Sequence, residues 1–271
     1  MTDPVLTVTH LRKTFGTFTA IDDVSFELAA GSSLGIVGES GSGKTTVARM
    51  IIGLEQPSSG TIVCCGNDRS RPSRATGARR ARAREAQIVF QDPYTSLDPH
   101  QTVQQTLTEA VRLHNAESGA PYRERVQFFA DMVSLDTRLL ASMPGHLSGG
   151  QRQRVAIARA LAADPRVLVL DEAVAALDVS IQAQILNLLA DIRDATGISY
   201  VFITHDLAVV RQVTEHSIVM QGGRIVETGR TDDLLRDPQH PYTRALLDSV
   251  PRPGWTPQRR AVPAEKPATQ R

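Results

Sequence analysis

The chain has 271 residues, 41% of them hydrophobic and 22% charged, and a formal charge of +1. That is long enough to bury a sizeable core and ordinary for a globular protein, and it offers no global electrostatic case for nucleic acid or an anionic surface. No run reaches the roughly 18–20 apolar residues a membrane-spanning helix needs, and residues 1–10 lack a signal-peptide core. The only cysteines, Cys64 and Cys65, are adjacent. Such a pair makes neither a stable disulfide nor a metal site, so they read as strand thiols of a reducing compartment.

The chain opens with alternating stretches, Val5-Leu6-Thr7-Val8 and Val24-Ser25-Phe26-Glu27-Leu28, which predict an antiparallel β layer. Leu34-Gly35-Ile36-Val37 follows, a short apolar run leading into a glycine-rich loop and a helix. Arg69, Arg71, Arg74, Arg79, Arg80, Arg82 and Arg84 form a basic run without aromatic interleaving. It reads as a solvated loop, at most one near lipid headgroups, and not as a base-stacking surface. Residues 102–161 are mostly helical by pattern and predict a separate helical subdomain, about 92–162 when bounded generously.

Val167-Leu168-Val169-Leu170 and Tyr200-Val201-Phe202-Ile203 are two further buried strands. Between them Ile181, Ile185, Leu188, Leu189 and Ile192 make one helical stripe for the core. Strands alternating with helices give an α/β class with a largely parallel sheet. The chain shows no internal repeat, so residues 1–250 form one unit. Residues 251–271 carry Pro251, Pro253, Pro257, Pro263 and Pro267 among few apolar residues, and predict a disordered tail.

Gly38-Glu39-Ser40-Gly41-Ser42-Gly43-Lys44-Thr45 fits G-x-x-x-x-G-K-[ST] between a predicted strand and helix. Glycines let successive N–H groups turn inward toward phosphate oxygens, and the helix start adds its positive dipole end. Gly38, Ser40, Gly41, Ser42, Gly43, Lys44, Thr45 and Thr46 are therefore set against a nucleotide's phosphates. Lys44 supplies charge to the β- and γ-phosphates, and Thr45 offers a hydroxyl to Mg²⁺. Asp171 and Glu172 follow a buried strand at its C-terminal end, where α/β folds bind ligands. Asp171 suits Mg²⁺, and Glu172 suits a general base on water. Ser148, Gly149, Gly150 and Gln151 stand before a helix predicted over residues 153–161, a second anion-binding tip.

With these motifs on the page, the chain resembles the ATP-binding cassette superfamily. The elements occur in that family's order: the 38–45 loop, Gln91, Leu147-Ser148-Gly149-Gly150-Gln151, the strand ending in Asp171-Glu172, Ala176-Leu177-Asp178, and His205. The resemblance implies a phosphate-loop NTPase core of RecA type, with an N-terminal antiparallel β subdomain and a helical subdomain. It implies ATP and Mg²⁺ as cofactors and ATP hydrolysis as the reaction. By the same resemblance Gln91 senses Mg²⁺ and the lytic water, and His205 contacts the γ-phosphate. Asp178 crosses to a second cassette, and Phe15 stacks on adenine. Ala173 and Ala175 depart from the Pro and Ser common in the family, which implies retuned coupling between two sites.

Phe90-Gln91-Asp92-Pro93-Tyr94-Thr95-Ser96-Leu97-Asp98-Pro99 and Asp237-Pro238-Gln239-His240-Pro241-Tyr242-Thr243-Arg244-Ala245-Leu246-Leu247 look like the oligopeptide, dipeptide and nickel importer branch. The second segment reads as lying outside the nucleotide machinery. That branch implies two membrane permease subunits, a second ATPase subunit, an extracytoplasmic solute-binding protein, and a peripheral place on the cytoplasmic membrane face, with no nucleic-acid partner. A cassette ATPase acting on DNA or ribosomes is the alternative, and lacks its usual coiled-coil insertions or tandem cassettes here; an exporter cassette is another.

Overall fold

The computed structural model describes residues 3–73, 75–92, 96–114 and 121–248. Arg74, Tyr94 and the proline-bearing tail lie outside the described residues.

Two sheets organise the chain. The first is four-stranded and antiparallel: β1 (Pro4–Phe15), β2 (Phe18–Ala29), β4 (Ser59–Cys64) and β5 (Asn67–Asp68), in the order β2-β1-β4-β5. The second has six strands. It contains β3 (Ser33–Val37), β6 (Ala86–Val89), β7 (Val167–Asp171), β8 (Ser199–Thr204), β9 (His216–Gln221) and β10 (Arg224–Arg230), in the order β10-β9-β3-β8-β7-β6. All its pairings are parallel except β10 with β9. The alternating first thirty residues and the continuous apolar runs thus separate into the two sheet types expected of them.

Every residue of β3, β7 and β8 is buried, because each strand is covered on both faces. Side chains on a strand alternate between faces. Val167, Val169, Val201 and Ile203 accordingly join one core with the antiparallel sheet and with Val47, Met50 and Ile51 of α1 (Lys44–Ile52). Leu168, Leu170, Tyr200 and Phe202 join a second core on the opposite face. That core takes in α3 (Val103–His114), α4 (Tyr122–Met132), α5 (Gly149–Leu161) and α6 (Val179–Thr196). Of the α6 stripe, Ile185, Leu188, Leu189 and Ile192 are buried and Ile181 packs at the edge. Each such side chain contributes about 1.5–3 kcal/mol by leaving water.

Two boundaries differ from the sequence reading. Helix α5 starts at Gly149, four residues early, because Ser148 and Gln151 form a capping box that nucleates it. The basic run contains a helix, α2 (Thr76–Glu85), where a loop was expected. Its alternating Ala and Arg residues are strong helix formers. None of them is buried, whereas Arg69 is 1% exposed beside Glu85.

Register fixes the site. Val37 pairs with Thr204, and Asp171 with Ile203. The C-terminal ends of three neighbouring parallel strands, β3, β8 and β7, therefore finish level with one another. Among the described residues no helix is long and apolar enough to cross a membrane.

Candidate functional site

The 38–45 loop leaves β3 and enters α1. Gly38 and Gly43 have φ of 155° and 103°. A Cβ at Gly38 would lie 2.3 Å from the Met220 carbonyl oxygen, and one at Gly43 would lie 2.5 Å from Ile21 Cδ1. Both the left-handed backbone and the close neighbours thus require glycine. The loop wraps Lys44, which is 4% exposed. Its Nζ donates to the carbonyls of Gly38 and Glu39, each at 2.8 Å. Burial pushes the Lys44 amine below its ordinary pKa, against the opposing pull of Glu172, Asp171 and Glu39.

Across the sheet Thr45 Oγ1 donates to Asp171 Oδ1 at 3.2 Å. Asp171 is 5% exposed, and burial raises its carboxyl pKa while the Thr45 hydrogen bond works the other way. The next residue, Glu172, continues the β7–β8 ladder by donating its N–H to the Ile203 carbonyl at 2.8 Å. It does so at φ 51°, a left-handed conformation that a non-glycine residue holds at a cost of about 1–3 kcal/mol. Its carboxylate lies 3.3 Å from His205 Nδ1. His205 follows β8, so the pair joins the ends of neighbouring strands.

A cavity of about 770 Å³ opens over these groups. Glu39, Ser40 and Thr45 of the loop line it, with Gln91 after β6, then Asp171, Glu172 and His205. The sequence reading placed these residues in one site by motif order, and the fold brings them to one wall. It missed Arg49 and Leu246, which also line the cavity. Arg49 sits on α1 just past the loop, and Leu246 lies in the His-Pro-Tyr-Thr segment read as outside the nucleotide machinery. The same segment sends Tyr242 to the loop, where its hydroxyl accepts the Glu39 N–H at 2.9 Å.

Of the expected loop residues, Gly38, Gly41, Ser42, Gly43, Lys44 and Thr46 do not themselves line the cavity, and outside the loop neither do Phe15, Ser148, Gly149, Gly150, Gln151 and Asp178. Phe15 is 47% exposed at the end of β1, with Lys13 Nζ 4.7 Å from its ring centre. Ser148 Oγ accepts the Gln151 N–H while Gln151 Oε1 accepts the Ser148 N–H, so both side chains shape the tip of α5. A Cβ on Gly150 would lie 2.6 Å from Ile181 Cγ2, so α5 can meet α6 closely there only without a side chain. Asp178 precedes α6 without capping it through its side chain, and is exposed.

Thr45 and Asp171 present a hydroxyl and a carboxylate oxygen on one wall, the hard donors that Mg²⁺ prefers. Among the described residues no group of three or more His, Cys, Asp or Glu side chains could hold a metal by itself. A cation there would take its remaining ligands from water and phosphate, as Mg²⁺ commonly does.

The model of the family described as "ABC transporter" matches residues 21–175. The chain belongs to the ABC transporter family. A second family model, "Oligopeptide/dipeptide transporter, C-terminal region", matches this cassette's residues 226–271. A putative peptide import ATP-binding protein of Brucella abortus is 46% identical to the cassette over 249 residues, 92% of this chain and 74% of the relative. The dipeptide transport ATP-binding protein DppF of Haemophilus influenzae is 43% identical over 86% of this chain and 71% of its own. Among solved structures, cbiO1 of Clostridium perfringens, part of the ABC transporter complex cbiONQ, matches with TM-score 0.77 and 28% identity. That match covers 87% of this chain and 92% of that one. A dimeric ATP-binding cassette in a post-hydrolysis state bound to ADP and Pi matches with TM-score 0.74 and 28% identity, over 83% and 98%. The likeness carries the α/β fold with its antiparallel sheet and helical part.

Proposed function

We propose that this chain is the ATP-hydrolysing subunit of a membrane transporter, energising import of peptides through partner permease subunits. One observation carries the ATPase reading: the lysine-bearing loop, the Asp171–Glu172 strand end and His205 surround a single cavity at level strand ends. The relatives named for peptide import and for dipeptide transport support the choice of cargo.

The phosphates lie along the loop N–H groups and the start of α1. Lys44 leaves its two carbonyl partners for the β- and γ-phosphates, which relieves a cation that burial disfavours. Glu172 accepts a proton from the attacking water, the γ-phosphoryl group passes to that water, and ADP and phosphate result. His205, paired with Glu172, contacts the γ-phosphate. Mg²⁺, when bound, would neutralise developing charge on the phosphate oxygens; Thr45, Asp171 and Gln91 would hold it.

The 148–151 tip and Asp178 need a second chain. Ser148, Gly149, Gly150 and Gln151 form a capped helix tip away from this chain's own cavity, so they serve a nucleotide on a partner cassette. Asp178 serves that interface, and Phe15 supplies the adenine face. Closing two chains on two nucleotides excludes water and aligns the nucleophile, which is most of what phosphoryl transfer needs. The helical segment, 92–162, is the part that meets the permeases, at the cytoplasmic membrane face. A solute-binding protein delivers the peptide from outside.

Affinity purification from membranes tests this reading. Two permeases and a sibling or identical cassette should accompany the chain, and its deletion should stop uptake of a labelled dipeptide. Recovery with ribosomes or DNA, or uptake unchanged after deletion, would overturn it.

A further inference from the structure

The segment 237–247 has a local structure of its own. Helix α8 (Thr231–Arg236) follows β10, and α9 (Pro241–Asp248) follows α8. The Glu227 carboxylate on β10 accepts the N–H groups of Gln239 and His240, at 2.7 and 3.1 Å. His240 Nδ1 then accepts the Tyr242 N–H at 3.2 Å. The start of α9 is thereby tied to the sheet. Leu246 packs with Val37, the last residue of β3, and with Leu207 and Val210 of α7 (Leu207–Val213), just past His205. Thr243 is completely buried.

The helix therefore shares a small core with the end of β3 and with the helix that follows His205. Its Tyr242 hydroxyl takes the Glu39 N–H at the outer rim of the phosphate loop. The carbonyl of that same residue is held by Lys44 Nζ and by the Ser42 N–H. When Lys44 turns to phosphate, Tyr242 becomes the one side chain among these contacts that still holds residue 39.

We propose that Tyr242 is a positioning residue for the nucleotide site, holding the rim of the phosphate loop in its binding shape so that α9 reports on and tunes ATP affinity. The proposal rests on the ATP reading above. It acts on binding and not on the chemical step, because the hydroxyl meets the loop backbone and not the Glu172–His205 pair. A loop held in shape before ligand arrives has less ordering left to do on binding.

Tyr242→Phe removes the acceptor and keeps the ring and its packing. In the full-length chain titrated with Mg-ATP, affinity should fall roughly three- to tenfold, the size of one net hydrogen bond. In the assembled transporter KM for ATP should rise by a similar factor, with kcat within about twofold. Unchanged affinity, or a loss in kcat at native KM, would overturn the inference. Lys44→Ala in the same titration separates the two readings. If it also keeps native affinity, the ATP site itself is misassigned. If it loses affinity while Tyr242→Phe does not, only the role of Tyr242 fails.

Discussion

Glu172 and His205 stand 3.3 Å apart at the ends of β7 and β8, and a backbone hydrogen bond from Glu172 N–H to Ile203 fixes their spacing. The contact is local in space but joins residues 33 apart in the chain, so its geometry depends on strand register. Glu172→Gln keeps the shape and removes the basic oxygen. Hydrolysis should fall about 10²–10⁴-fold, as for loss of a general base, with ATP binding retained. Gel filtration with ATP should then show an accumulated dimer. Native turnover in this variant would mean that another group takes the proton.

Asp171 offers a test in which function and stability move in opposite directions. Burial raises its pKa above the ordinary 3.8. Its contribution to stability is therefore present below that value and is lost as pH rises through the raised folded value. Asp171→Asn should thus melt higher than the native chain at pH 7 and near the native value at pH 4, without nucleotide. It should also lose Mg²⁺-dependent hydrolysis. A melting difference that does not grow with pH would contradict the burial argument.

Ser148 caps α5, and its proposed place against a partner's nucleotide separates from that capping by substitution. Ser148→Ala removes the helix cap and should cost about 1 kcal/mol of stability. Ser148→Asp keeps a good cap but sets a carboxylate against the partner's phosphates, a repulsion that grows as water is excluded. The Asp variant should melt like the native chain and hydrolyse ATP far more slowly. If it hydrolyses normally, this helix tip does not face a nucleotide.

The phosphate loop and the acidic strand end were legible in the sequence because phosphate chemistry demands particular residues at fixed spacing beside a strand. The two sheets were legible because alternation and continuous apolar runs mark one covered face and two. The α5 boundary was also available in the sequence, since Ser148-x-x-Gln151 is a capping-box pattern that starts the helix at Gly149 and not at residue 153. The α2 helix was obscured by Pro72 and Gly77, which suggested a loop, whereas alternating Ala and Arg decided the local structure. The Tyr242–Glu39 contact had no local signature. It joins residues 203 apart, and only the packing of α9 on Val37 and Leu207 brings them together.

On the proposed function each nucleotide site is completed by two chains, with Lys44 of one and Ser148 of the other. The direct measurement is ATP turnover per chain as a function of the concentration of the isolated protein. Turnover should climb with concentration and vanish on dilution. A constant, full rate down to the lowest measurable concentration would show that one chain suffices.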